Sequence, residues 1–370
     1  MPDVVIVGAG PVGTLLAAEL TRFGTDVVLL DRRPAAGGGT RAIGLHSPVL
    51  AALEAGGATE RILADAVRVG RGEAVVGGRT RGVVRFDRLQ GGRARHPYVA
   101  TLPQEATERA LAAGAPAPVR GVTVTAVRRD GDRVHVISDR GEWSAAVAVV
   151  AGGAWARGLV FRHAVATAYR DRYVMTDAVA DGPADVAQVH LAAGGVVESF
   201  PLPGGLRRLV AWDGGGQEEP APRLEAALRE RAGIEVAVDA ATEFGVRRFV
   251  APSLRHGPVF AIGDTAHEVS PIGGQGMNLG LLDAATLAPL LAAWMRGGTA
   301  PEAALARWER ARVASARRAA RIAAVNTLLG RPQGRLGHAA RDASLRAALA
   351  AASPALAHAY AMGFDAAARS

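Results

Sequence analysis

A chain of 370 residues with 49% hydrophobic content has room for about two domains and a large core. Its formal charge of +8 rests on 43 basic residues that are all arginine and are scattered along the chain. That pattern reads as the composition of a GC-rich genome and argues against a nucleic-acid partner. The lack of cysteine excludes disulfides, thiolate metal sites and cysteine redox chemistry and fits a cytoplasmic setting. No basic start with an apolar run precedes the first strand, and no uncharged apolar stretch of 18 residues occurs. Neither a signal peptide nor a membrane span is therefore expected.

The chain opens on its most informative unit. Val4–Val7 is apolar and β-branched throughout, which predicts a buried parallel strand. Gly8, Gly10 and Gly13 follow as G-x-G-x-x-G. A helix is predicted over 15–23 with Gly24 as its left-handed cap, and a second strand over 27–30 ends in Asp31. In this pattern Gly8 permits a tight turn and Gly10 lets the backbone approach a pyrophosphate. Gly13 lets helix and strand pack closely, and the free N–H groups of the helix start face the phosphates. Asp31 lies 23 positions after Gly8, where an acid bonds a ribose hydroxyl. A dinucleotide site is expected, with FAD and NAD(P) both left open.

After Arg32, Arg33 and Pro34 comes a glycine-rich loop over 37–40, then Arg41. Ser47 and Pro48 open a helix over 48–53. Residues 67–96 read as short strands, and Leu102, Pro103 and Gln104 open a helix that runs to about 113. Alternation over 122–127 and 134–138 around Asp130, Gly131 and Asp132 predicts a hairpin, and 146–150 a buried strand. Strands at 174–179, 186–191, 196–200 and 206–212, with a helix over 221–232, predict a second, mainly antiparallel domain. Residues 259–262 form another buried strand, ending in Gly263 and Asp264. An apolar helix over 276–294, an arginine-rich helix over 301–329 and an alanine-rich, helical remainder follow.

The second informative stretch is residues 263–284, GDTAHEVSPIGGQGMNLGLLDA. An aspartate at the C-terminal end of a buried strand sits where open α/β sheets bind ligands. Pro271, Gly273, Gly274 and Gly276 introduce a helix whose first N–H groups stabilise negative charge. Through these motifs the chain resembles the FAD-dependent aromatic hydroxylases of the para-hydroxybenzoate hydroxylase type, the group A flavoprotein monooxygenases. GAGPVG at 8–13, Asp31, RAIGLH at 41–46, LPQEATERAL at 102–111 and GDTAHEVSPIGGQGMN at 263–278 carry the resemblance over about residues 1–330.

The resemblance implies an α/β fold, with a Rossmann-like FAD-binding domain, an inserted antiparallel-sheet substrate domain and C-terminal helices. The FAD domain would take residues 1–68, 98–164 and 251–297, the substrate domain 69–97 and 165–250, and the helical region 298–370. Asp31 would bind the adenosine ribose, Arg41 the pyrophosphate, Gln104 the ribityl region and Asp264 a ribityl hydroxyl. Gly276, Met277 and Asn278 would meet the pyrimidine edge of the ring, and Pro271 would line its oxygen-reacting face. Gly8, Gly10, Pro11, Val12, Gly13, Arg32, Val124, Gly263 and Gly274 complete the implied cofactor set. The implied reaction takes electrons from NAD(P)H, forms a flavin hydroperoxide with O2, and passes one oxygen to a small aromatic or polyketide-like substrate.

One departure stands out. The family usually has A-D-G-A-R-S after the strand at 147–150, and here the run is Ala151, Gly152, Gly153, Ala154, Trp155, Ala156. This puts direct reduction by a nicotinamide in question against a separate reductase partner. The alternatives in function are a flavin oxidoreductase without oxygen insertion, of the double-bond reductase type, or an FAD-binding protein without turnover. The absence of lysine and cysteine argues against flavin halogenases and disulfide reductases.

Tyr98, Phe200, Trp212 and His46 are the candidate substrate-binding residues, each weighed against plain core packing. His267 reads as a loop-ordering residue, Arg207 and Arg208 as solvated turn residues, and the arginine run over 307–321 as an exposed helix face. His163, His190 and His256 lack metal-ligand spacing, so no metal is expected. No catalytic side chain is assigned.

Overall fold

The computed structural model describes residues 1–37, 42–88, 95–334, 336–344 and 358–365. Two sheets dominate it. The first has six strands in the order Arg255–His256, Val259–Ala261, Val147–Val150, Val4–Val7, Val27–Asp31, Val119–Arg120. Val4 is level with Val147 on one side and with Val27 on the other, in parallel register. Val4–Val7 and Val147–Val150 are buried along their whole length, as strands covered on both faces must be.

Helix Pro11–Arg22 packs on this sheet through Leu15, Leu16 and Leu20, and Gly24 takes the left-handed cap at φ 78°. The fit at its start is close. A Cβ on Gly13 would lie 1.9 Å from the Gly8 carbonyl oxygen, so only glycine lets helix and strand meet there. Helix Gly276–Gly297 packs beside it and buries Leu279, Leu281, Leu282, Leu287 and Leu291. By length and hydropathy this helix could cross a membrane. Here Asp283 sits within it, and its apolar residues fill the core between the six-stranded sheet and helix Glu302–Leu329.

The second sheet has eight strands in the order His267–Glu268, Thr242–Val250, Thr167–Val179, Leu206–Asp213, Gly195–Pro201, Val186–Ala192, Arg71–Val76, Arg79–Arg85. All neighbours are antiparallel except Val186–Ala192 beside Arg71–Val76. Helix Pro220–Ala232 covers one face through Leu224, Ala227 and Leu228. The α/β class with a parallel dinucleotide sheet and a mainly antiparallel second sheet is as the sequence predicts. The predicted hairpin appears as Val124–Asp130 and Arg133–Ser138, extended by Gly141–Ala145.

Helix Glu302–Leu329 joins the two halves. Near its start Glu309 accepts hydrogen bonds from the backbone N–H groups of Leu254 and Arg255. Beyond its end the Gly330 carbonyl accepts from Val196 N–H at 2.9 Å. The arginine run on this helix is not uniformly exposed. Arg307, Arg310, Arg317, Arg318 and Arg321 face outward, but Arg312 is buried.

Candidate active site

A large cavity of about 1130 Å³ runs between the two sheets. That exceeds the roughly 300–1,000 Å³ of an ordinary small-molecule site, leaving room for a cofactor and a second ligand.

One end is the opening strand-turn-helix. Gly8, Gly10, Pro11, Val12, Asp31, Arg32 and Val124 are in the wall. No side chain caps helix Pro11–Arg22, and the space where a Cβ of Gly10 would stand is open. This leaves the first N–H groups free for an anion. Asp31 accepts hydrogen bonds from Ala9 N–H at 2.8 Å and from the Arg33 backbone and guanidinium. Burial pushes its carboxyl up, but these donors outweigh that and hold it below the ordinary range. Trp155, 81% exposed, stands beside this end with the Arg32 guanidinium 4.8 Å from its ring centroid.

The middle is built by the loop before helix Gly276–Gly297. Gly263, Asp264, Pro271, Gly274, Gly276 and Met277 line the cavity, and no side chain caps this helix either. Asn278 lies behind the wall. Its side chain accepts from His46 N–H at 2.8 Å and donates to the carbonyls of Gly44 and Gly274. His46 is in the wall and buried, and neither ring nitrogen makes a hydrogen bond of good geometry among the described residues, the Gly274 backbone acting on it only weakly. Burial pulls its imidazole down to about 4, so it is neutral at physiological pH.

A buried charge cluster holds this loop. The Asp283 carboxylate accepts from Gly263 N–H at 3.1 Å and from Arg312 Nε at 2.7 Å, and pairs with His267 Nε2 at 2.5 Å. Arg312 also donates to Asp365 and to the Leu279 carbonyl. Burial opposes ionisation of Asp283, and the charges of His267 and Arg312 overcome it and hold the carboxyl low. The stretch that departs from the family pattern is tightly packed. A Cβ on Gly152 would come within 2.6 Å of Ala156 Cβ. Arg157 ties this stretch to the motif loop through the Asp264 carbonyl and Glu268.

The far end is the face of the eight-stranded sheet, with Met175, Val189, Leu191, Val196, Glu198, Phe200, Arg208, Val210 and Phe244. Asn326 and Tyr360 close it, the Tyr360 hydroxyl donating to Asn326 Oδ1 at 2.7 Å.

A family model described as an FAD binding domain matches residues 1–153 and 214–323. The chain belongs to the FAD-binding domain family. Its resemblance to the FAD-dependent aromatic hydroxylases is matched by its relatives. It is 34% identical over 322 residues to the 6-methylpretetramide 4-monooxygenase of Streptomyces rimosus, covering 80% of this chain and 56% of that protein. The solved p-nitrophenol 4-monooxygenase PnpA of Pseudomonas putida DLL-E4 has the same fold, with TM-score 0.83 and 23% identity over 94% of each chain. OxyS anhydrotetracycline hydroxylase of Streptomyces rimosus matches with TM-score 0.77 and 26% identity, over 98% of this chain and 76% of that one. The chain spans between 56% and 67% of the length of its curated relatives.

The residues present fit the cofactor of an FAD-binding domain. The uncapped helix starts, the open space at Gly10 and the weakly partnered ring of His46 all border one cavity. Gly13 and Asn278 support the wall without lining it, and Gln104 lines it. Gln104 Oε1 accepts from Ala42 N–H at 3.3 Å, so the side chain braces the start of the 42–46 segment. Arg41 lies outside the described residues.

Two candidate substrate residues, His46 and Phe200, are in the wall, and two are not. Tyr98 hydrogen-bonds His96 Nδ1 at 3.1 Å and packs on the main core. Trp212 donates to Asp171 at 3.1 Å and pairs with Tyr173, two register positions beyond the wall pair Met175 and Val210. Arg207 and Arg208 are not solvated, being only 3% and 2% exposed. Arg207 binds Ser199 and the carbonyls of Pro183 and Val186, and Arg208 pairs with Asp177 at the cavity wall. Both lie within strand Leu206–Asp213, where the expected strand over 206–212 also put them, so they are strand residues and not turn residues. His267 does order the loop. Sequence reasoning missed its partner Asp283 and the Arg312 that shares that carboxylate, and it missed Glu198. Glu198 alternates with Val196 and Phe200 in Gly195–Pro201, which is the signal that could have placed it on the cavity face.

Proposed function

We propose that the protein is an FAD-dependent monooxygenase that inserts one oxygen atom from O2 into a small aromatic or polyketide-like substrate. The observation that carries this is the cavity joining the dinucleotide turn to a mostly apolar sheet face, with the Gly276–Gly297 helix start between them. The names of the relatives, which are monooxygenases of pretetramide, anhydrotetracycline and p-nitrophenol, support the reaction and the substrate class.

When bound, FAD supplies the redox chemistry that activates oxygen. The protein's own residues then have separable tasks. Gly10 and the free N–H groups behind Pro11 would receive the pyrophosphate, and Asp31 with Arg32 and Val124 the adenosine end. Gln104 and Asp264 would meet the ribityl chain. The start of helix Gly276–Gly297, at Gly276 and Met277, would place its partial positive charge against the ring edge where reduction adds negative charge. Neutral His46, Gly274 and Pro271 would flank the ring. Residues 69–97 and 165–250 act as the substrate domain, and 1–68, 98–164 and 251–297 as the FAD domain. The apolar far end excludes water from the oxygen-transfer region.

The electron donor in this proposal is NAD(P)H. Packing at Gly152 leaves no room for the acidic side chain of the family pattern, so hydride must reach the cofactor without it. Anaerobic addition of NADPH, then NADH, should bleach the flavin spectrum. Turnover under labelled O2 should then place one heavy oxygen in an aromatic product. Bleaching only with an added reductase would reassign the donor to a protein partner. Bleaching without label in any product would favour the double-bond reductase reading.

A further inference from the structure

The sheet face of the cavity is mostly apolar, and its charged wall residues are committed or exposed: Glu73 pairs with Arg71, Arg208 with Asp177 and Glu268 with Arg157, while Arg247 is exposed. Glu198 is the exception, a buried carboxyl that the cofactor site does not use. Strand Gly195–Pro201 turns Val196, Glu198 and Phe200 toward the cavity. Level with Glu198 are Val189 on one neighbouring strand and Val210, then Met175, on the other side. The carboxyl therefore stands in the middle of an apolar row. It is 6% exposed, borders the cavity, and makes no hydrogen bond or ion pair with any described residue.

The surrounding ionisable groups are committed elsewhere, buried or exposed. Asp171 on Thr167–Val179 is bound by Arg331 at 2.8 Å and by Trp212. Arg208 on Leu206–Asp213 is held by Asp177 of the adjacent strand. Tyr360 donates to Asn326. The Tyr173 hydroxyl has no hydrogen-bond partner among the described residues and is outside the cavity wall; burial first, and then the charge of nearby Glu198, push its phenol up, as they do for Tyr360. Val186–Ala192 offers Val189, Thr242–Val250 offers Phe244 and the exposed Arg247, and Arg71–Val76 offers Glu73, which is paired with Arg71. Burial pushes the Glu198 carboxyl up to about 7. In either protonation state it keeps an acceptor oxygen facing the cavity, and once ionised it repels an anion.

A buried polar group without a partner is costly, and a ligand that donates to it recovers that cost. A ligand lacking the donor leaves the site unpaired, which is the strongest basis for rejecting it. We propose that Glu198 is the specificity-determining residue of this cavity, accepting a hydrogen bond from a hydroxyl on an otherwise apolar, fused-ring aromatic ligand and turning away carboxylated ones. This deepens the monooxygenase reading and rests on it where the ligand is called the substrate.

Equilibrium binding to the flavin-loaded protein tests it with three probes, 2-naphthol, 2-naphthoate and naphthalene. At pH 8 the protein should bind 2-naphthol at least tenfold more tightly than 2-naphthoate. The gap should narrow as pH falls through about 7, because protonation removes the like charge on Glu198. Glu198→Gln, which keeps an acceptor without the charge, should retain 2-naphthol, bind 2-naphthoate up to tenfold better, and lose the pH dependence. Glu198→Leu should bind 2-naphthol no better than naphthalene. Retained flavin absorbance shows that each variant is folded. Equal affinity for 2-naphthol and 2-naphthoate, an unchanged ratio in Glu198→Gln, or binding of none of the probes overturns the proposal. Oxygen labelling reports on the reaction separately. Discrimination without label leaves the specificity role standing and removes the monooxygenase reading, and label without discrimination does the reverse.

Discussion

Glu198 carries a stability cost that a single substitution exposes. Its carboxyl rises from 4.5 to about 7 on burial, so the folded state resists its ionisation. The penalty is absent below 4.5, grows between 4.5 and 7, and is fully present above 7. Glu198→Gln should therefore raise stability at pH 8 by up to about 3 kcal/mol, a melting-temperature gain of roughly 2–6 °C. At pH 4 the gain should vanish, and thermal melts of the flavin-loaded protein at both pH values check this. A gain of equal size at both would remove ionisation as its cause. At this scale the sequence was legible where a residue's job is local. Gly8 and Gly13 act within one turn, and Asp31, 22 positions from the Ala9 N–H it accepts from, is fixed by the length of the strand-helix-strand unit, so spacing shows all three. The tasks of Tyr98 and Trp212 were not legible, because an aromatic side chain does not declare which row of a sheet it occupies. Asp283 and Arg312 meet across 29 positions, and no spacing rule links them.

Secondary elements were more readable than their pairing. The periodicity that predicts helices over 276–294 and 301–329 survives as Gly276–Gly297 and Glu302–Leu329. Strand Thr242–Val250 was blurred by Gly245, Arg247 and Arg248, yet it pairs with Thr167–Val179 over most of its length. The parallel joint between Arg71–Val76 and Val186–Ala192 joins segments about a hundred residues apart, which local patterns do not reveal. The Gly276–Gly297 and Glu302–Leu329 helices are locked by the buried Asp283–Arg312 pair. Arg312→Met would leave Asp283 and Asp365 short of their cation. Breaking such a pair costs about 3–5 kcal/mol. Urea unfolding should show that loss, with weaker flavin retention because Asp283 also holds Gly263 N–H. Unchanged stability would mean that the two acids find protons or water at no cost.

At the scale of the whole molecule, the cavity is lined by residues of both sheets, so a ligand filling it bridges both. A cofactor that binds only the folded state stabilises it by mass action, about 2.7 kcal/mol at a hundredfold excess over Kd. Adding FAD to the stripped protein should raise the melting temperature by roughly 3–8 °C and sharpen the transition. Two separate transitions that FAD leaves untouched would argue against a shared site. Helix Glu302–Leu329 supplies the permanent bridge. With 28 residues it is about 42 Å long, anchored at one end to Leu254 and Arg255 and at the other to Val196. It therefore works as a ruler with a fixed phase as well as a fixed length. One residue inserted mid-helix would advance the far end by about 1.5 Å and rotate it by roughly 100°. Asn326 would then swing out of the cavity wall and the Gly330 carbonyl away from Val196, with no residue of either sheet altered.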